Sequence, residues 1–323
     1  MAKRRKPKAS SAAVSSRFTS EVIRWRAGDT SKADPFFILI LNNVAFEQPL
    51  GSNNFIPDMW SGSKANRALF EKSAEYVNKN LFGGMTGQAE KLLADSPHAQ
   101  KINLWSMYVW GLPINSTSSL VGEHPVRGSD ALLPRRDAVV AMLAYLGLNP
   151  DIVFLVTDSS YTRAWSIATT DDDTRAGVAA AYDGTTIYHR FYHKIPGMSA
   201  INTRSSTMTA AHEFGHAFSS FTNGHIADLY VDGGGCFGFN RKYGRPIPND
   251  FAGYQAATYL SDQTRAANGG YEAGWTSYHP EPTDASEPAL MDNYHYTTLP
   301  MLCLHDKITK AYILDRIAAK VSR

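Results

Sequence analysis

At 323 residues the chain is long enough for one large domain or two modest ones with substantial cores. Its 43% hydrophobic and 19% charged content is ordinary for a globular protein, and its longest apolar run, FFILIL at 36–41, is strand-sized, far short of the roughly 20 residues of a membrane span. The net charge of +2 hides an imbalance: residues 1–26 carry eight basic side chains against Glu21, a net of +7, which leaves −5 for the rest.

The basic opening, residues 1–33, predicts a disordered tail. A solubilising terminus is favoured over an anionic contact, so nucleic acid is expected as a partner only through this tail, and no membrane association is expected. The tail has the charged start of a secretory signal but lacks the 7–15-residue apolar stretch that must follow. A cytoplasmic location is therefore the default expectation, with non-classical export left open. Cys236 and Cys303 are the only two thiols, so no disulfide framework is implied.

From Pro35 onward the elements alternate. FFILILN (36–42) predicts a buried strand. Residues 63–80 predict a helix, because Ala65, Leu69, Phe70, Ala74, Val77 and Leu81 fall at helical steps and Gly83-Gly84 closes them. INLWSMYVWG (102–111) predicts a second strand, 111–133 a long loop, and 135–148 a helix ended by Gly147 and Asn149-Pro150. DIVFLVTD (151–158) predicts a third strand, 159–174 a variable loop, and 176–182 with 185–193 a hairpin about Asp183-Gly184. Along 185–193, His189 and His193 share one side. Two such residues on an edge strand are more often surface features than ligands. Residues 197–204 read as a loop, 231–300 as loop-dominated, and about 305–319 as a closing helix. That order predicts an α+β fold, a mixed twisted sheet packed with helices.

Between the loop at 197–204 and the loop-rich remainder lies TMTAAHEFGHAFSSFTNGHIADLY (207–230), where His212, Glu213 and His216 spell H-E-x-x-H. On a helix, residues four apart stack one turn above each other, so both imidazoles can hold one metal ion while Glu213 reaches a bound water. Ala211, Phe214, Phe218 and Phe221 make an apolar stripe roughly opposite the histidines. Ser205 or Ser206 is the expected cap and Asn223-Gly224 the expected stop. The five-residue pattern alone also fits packing histidines. Its position on a capped amphipathic helix, with further donors after the stop and a Met-containing segment downstream, favours a single catalytic Zn2+.

A catalytic zinc site takes a third protein ligand and keeps one position open. The spacing H-E-x-x-H-x-x-G-x-x-H fails here, because Ser219 and Thr222 stand where the glycine and third histidine would be. His225 and Asp228 both follow the helix stop and either could curl back to the metal. Imidazole is the commoner ligand and favours His225; the need for a spacer after the turn favours Asp228, with Asp232 a third choice.

HEFGH followed by I-A-D-L-Y (226–230) resembles the IgA-peptidase-type zinc metallopeptidases, whose helix reads HEFGH and soon reaches an L-A-D-E-Y segment. The similarity extends over F-E-K-S-A-E-Y-V (70–77), INLWSMYVW and D-I-V-F-L-V. By position it implies His212, His216 and Asp228 as ligands and Glu213 as catalytic acid/base, on a zincin-like fold. Two departures stand out: Leu229 replaces the Glu after the Asp, and about five residues are inserted between His216 and Ile226. PALMDNY (288–294) resembles a metzincin Met-turn, with Met291 as the apolar floor beneath the imidazoles and Tyr294 as a candidate oxyanion contact. The implied organisation is one catalytic domain over 34–323, with an upper subdomain at 34–224 and a loop-rich lower one at 225–323 closed by the last helix. The implied activity is zinc metalloendopeptidase acting on a peptide or protein substrate. A catalytically inactive zincin-fold metal-binding or interaction module is the alternative.

Overall fold

FFILILN carries apolar side chains at both parities, so it is stable as a strand only where both sheet faces are covered. The structure, a computed structural model, describes residues 19–28, 35–58, 63–124, 131–161, 163–167, 178–182, 187–191, 195–205, 207–218, 290–291, 305 and 307–322. In chain order the elements are β1 (Thr19–Arg26), β2 (Phe36–Asn42), β3 (Ala45–Glu47), β4 (Phe55–Pro57), α1 (Arg67–Phe82), β5 (Ile102–Trp110), β6 (Val121–Glu123) and β7 (Leu132–Pro134). Then follow α2 (Arg136–Leu146), β8 (Ile152–Thr157), β9 (Trp165–Ile167), β10 (Val178–Tyr182), β11 (Ile187–Phe191), β12 (Gly197–Asn202), α3 (Thr209–Phe218) and α4 (Lys307–Val321). The fold is α+β, as the element order predicts.

The main sheet is mixed and six-stranded, in the order β1-β5-β2-β8-β12-β9. Its four central strands run parallel, and β1 and β9 close it antiparallel at either edge. Strand alternation sorts the core into two layers. Ile38, Ile40, Leu104, Phe154, Val156 and Ile201 face α1, α3 and α4. Leu39, Leu41, Met107, Val153 and Leu155 face α2 and a four-stranded sheet of order β4-β3-β6-β7, which contributes Phe46, Val121 and Leu132. Each large apolar side chain buried this way contributes about 1.5–3 kcal/mol. At the end of α2, Gly147 takes φ 67°, and the N–H of Leu148 reaches the Leu143 carbonyl at 3.0 Å, so a left-handed residue stops the helix where the sequence signal placed it.

Several sequence expectations are corrected. Part of the 1–33 tail is β1. In TSEVIRWR, Glu21, Ile23 and Trp25 alternate with more exposed residues. Trp25 Nε1 donates to Ser106 Oγ at 2.8 Å, and Glu21 pairs with Lys64 at 3.3 Å and with Arg67. Its basic composition concealed that alternation, because Arg24 and Arg26 lie over the Trp105 and Phe82 rings, each 4.6 Å from the centroid. The 111–133 stretch contains β6 and the start of β7. The 159–174 stretch, read as loop, contains β9, which is too short to show a period. GMSAIN (197–202), also read as loop, is the buried parallel strand β12. The predicted hairpin forms as β10 and β11, but among the described residues it pairs only within itself and runs against α2, on the side of the sheet opposite α3. The sheet edge beside the motif helix is therefore β9. Among the described residues no helix is long and apolar enough to cross a membrane.

Candidate metal centre on the H-E-x-x-H helix

Helix α3 sits on β12 at backbone contact. A Cβ at Gly197 would lie 2.7 Å from the carbonyl carbon of Ala217 and 2.8 Å from Ile152 Cδ1, with the Ala217 oxygen closer still. Ser199, two residues on and facing the same way, brings its Oγ to 3.2 Å from the main-chain oxygen of Glu213. Small side chains at alternate positions thus let the helix approach, which is why this strand lacks the β-branched signature.

Of the two serines expected as caps, only Ser205 is among the described residues, and it does not cap the helix. Ser205 Oγ instead accepts from the Asn202 N–H at 3.0 Å, closing the end of β12, and Ser206 lies outside the described residues. Two N–H groups in the first turn of α3 are met by α1: Ala210 donates to the Tyr76 hydroxyl oxygen at 3.4 Å, and Ala211 to Asn80 Oδ1 at 3.3 Å. The amide group of Asn80 also donates to the Thr207 oxygen at 3.1 Å. Burial pushes the Tyr76 hydroxyl well above its ordinary range. Hydrogen bonds to Ala210 and Thr209 pull it part-way back, and the nearby Glu213 carboxylate adds to the rise. Tyr76 is accordingly a neutral phenol at neutral pH.

The motif residues follow directly on this anchored first turn. His212 is 3% exposed and His216 half-buried. Their rings stand edge to face with centroids 4.8 Å apart, and the two Nε2 atoms are 3.1 Å apart. Nδ1 of His212 lies 2.7 Å from the carbonyl oxygen of Leu290. A carbonyl can only accept, so Nδ1 carries the hydrogen, and in the neutral ring Nε2 keeps its lone pair toward His216. Leu290 itself is packed with Met208 and Ala211, which holds that carbonyl at the Nδ1 edge of the ring. Two nitrogens bound to one tetrahedral Zn2+ at 2.0–2.1 Å would be about 3.3 Å apart, so the donor pair fits such an ion. An Nδ1–H held by a main-chain carbonyl is also the usual support of a metal-binding imidazole.

Glu213 is 6% exposed. Its Oε2 accepts from Ser166 Oγ on β9 at 2.5 Å, and Ser166 is itself 2.8 Å from Ser199 Oγ. Met291 is fully buried in the cluster that contains Ala210, Phe214, Ala217 and Phe218 of α3. The Leu290–Met291 turn thus serves α3 twice, through an apolar side chain and through a carbonyl.

Asp228, His225, Asp232 and Tyr294 lie outside the described residues, as do Phe221, Asn223-Gly224, His193 and both cysteines. Among the described residues no three His, Cys, Asp or Glu side chains gather as a metal-holding group. The residues that the sequence did not point to are Ser166, Ser199, Asn80 and Tyr76. Asn80 alone carried a legible signal, an amide at a helical step among the apolar residues of α1. No protein-family model matches the chain, and no curated protein matches it significantly.

Proposed function

We propose that the protein is a zinc-dependent metalloendopeptidase with a zincin-like fold. The observation that carries this reading is the pair of Nε2 atoms 3.1 Å apart, with the His212 tautomer fixed by Leu290 and Glu213 adjacent on the same helix. The mixed sheet with an antiparallel edge strand beside the motif helix supports it, as does the buried Leu290–Met291 turn.

In this reading His212 and His216 hold the ion, with Asp228 or His225 as third ligand. Zn2+, when bound, supplies Lewis acidity toward a water and a peptide carbonyl. Glu213 takes the proton of the attacking water and returns it to the departing amine. Ser166 and Ser199 keep that carboxylate and its helix against the sheet. Tyr294 is placed by the Met-turn resemblance near the developing oxyanion.

Metal quantification on purified protein, paired with a peptide-library digest, tests the proposal. Wild type should bind one zinc per chain and cleave, and Glu213→Gln should keep the zinc while losing about 10²–10⁴-fold in turnover. Zinc without cleavage in the wild type would leave a metal-binding module. Absence of zinc would remove the reading altogether.

A further inference from the structure

We infer that Ser166 on β9 is a positioning residue that fixes which oxygen of Glu213 handles the proton, an inference that rests on the endopeptidase reading. Ser166 Oγ lies 2.5 Å from Glu213 Oε2, 3.1 Å from the main-chain oxygen of Glu213 and 2.8 Å from Ser199 Oγ. A hydroxyl has one proton to give. The carboxylate is the strongest and nearest of the three acceptors, so the proton goes to Oε2. Ser199 then spends its own proton on Ser166 Oγ or on the Glu213 carbonyl. The chain of donors ends on Oε2, and Oε1 is left with no hydrogen bond among the described residues. Oε1 is therefore the oxygen that takes up and releases the proton.

The placement follows from the register of the edge strand. β9 pairs antiparallel with β12 through Trp165↔Ala200, Ser166↔Ser199 and Ile167↔Met198. Of its three residues only Ser166 faces α3. Trp165 turns to the other side of the sheet, where it lies 4.6 Å from the His124 ring. A glutamate on a free helix face has three rotatable bonds, and freezing them at the moment of reaction costs rate; a hydroxyl at 2.5 Å settles that cost during folding. A serine whose only task was to fill the space between strand and helix could be an alanine.

The test compares Ser166→Ala and Ser166→Thr with wild type in the full chain, loaded with zinc, on a peptide chosen from the library digest. Ser166→Ala should keep wild-type zinc content and KM within about twofold, while kcat falls by about tenfold to a hundredfold. Ser166→Thr, which keeps the hydroxyl, should recover kcat to within about threefold. An unchanged kcat in Ser166→Ala overturns the inference alone, as does a loss that appears only in KM. A wild type with neither zinc nor turnover overturns the endopeptidase reading and the inference together. Crystal structures of the metal-free proteins give a readout independent of activity. Oε2 should stay against β9 in wild type and Ser166→Thr and leave it in Ser166→Ala. A carboxylate that keeps its position without the hydroxyl overturns the inference, even if the alanine variant is too unstable to assay.

Discussion

Replacing Gly197 by alanine tests how the motif helix is seated. The added Cβ meets the main chain of Ala217 and the tip of Ile152, with carbon–carbon distances of 2.7 and 2.8 Å. Relaxed carbon contacts lie near 3.5–4.0 Å, so α3 must retreat by about 1 Å. The nearer obstacle is the main chain of Ala217, which cannot swing away as the Ile152 tip can. Overpacking of this kind costs about 1–3 kcal/mol, and a backbone obstacle places it near the top. Alanine also stiffens the unfolded chain, which offsets about 0.4–1 kcal/mol. A net loss of about 2 kcal/mol remains, or about 4–8 °C in Tm for a domain of this order of size. Differential scanning calorimetry of both proteins at one fixed zinc concentration measures it, because bound metal would otherwise shift the comparison. The same retreat should loosen the contacts of Glu213 with Ser166 and Ser199. A Tm within about 1 °C of wild type would show that α3 does not rest on β12 through Gly197.

Asn80→Ala should cost about 1–3 kcal/mol in urea denaturation, because it strips partners from the buried Ala211 N–H and Thr207 carbonyl; equal midpoints would mean that the amide group is dispensable. Acid stability should depend on Glu90, which is buried with His305. Burial alone would raise its carboxyl, but the His305 ring at 2.5 Å, the His305 main-chain N–H and Lys310 outweigh it and hold Glu90 below its ordinary value. A carboxyl depressed in the folded state stabilises above its unfolded pKa and loses that contribution as pH falls through the folded value. Wild type should therefore lose stability below about pH 4.5 more steeply than Glu90→Gln, and parallel curves between pH 6 and 3 would refute this. For the third ligand, Asp228→Ala should lose bound zinc and His225→Ala should retain it if the aspartate coordinates; the reverse pattern assigns the histidine, and full occupancy in both places the ligand elsewhere.

The legible part of the site is the part written locally. His212, Glu213 and His216 sit within one helical turn, and the 3.6-residue period alone puts both imidazoles on one face. The groups that make the arrangement rigid come from far along the chain. Asn80 is 131 residues from Ala211, the Leu290 carbonyl 78 from His212, and Ser166 47 from Glu213. No periodic pattern links such pairs, because shape and register choose them, not spacing. The same division explains the fold. The strands β2, β5 and β8 are legible because burial on both faces demands continuous apolar runs. β12 is not, because the face it gives to α3 has to be glycine and serine, and β9 offers only three residues. Buried polar groups must find partners, so an asparagine inside the apolar stripe of α1 already implies a neighbour with unpaired backbone groups. The start of α3 supplies them: the amide group of Asn80 meets the Ala211 N–H and the Thr207 carbonyl and holds α3 against α1, while Gly197 and Ser199 set its distance from the sheet.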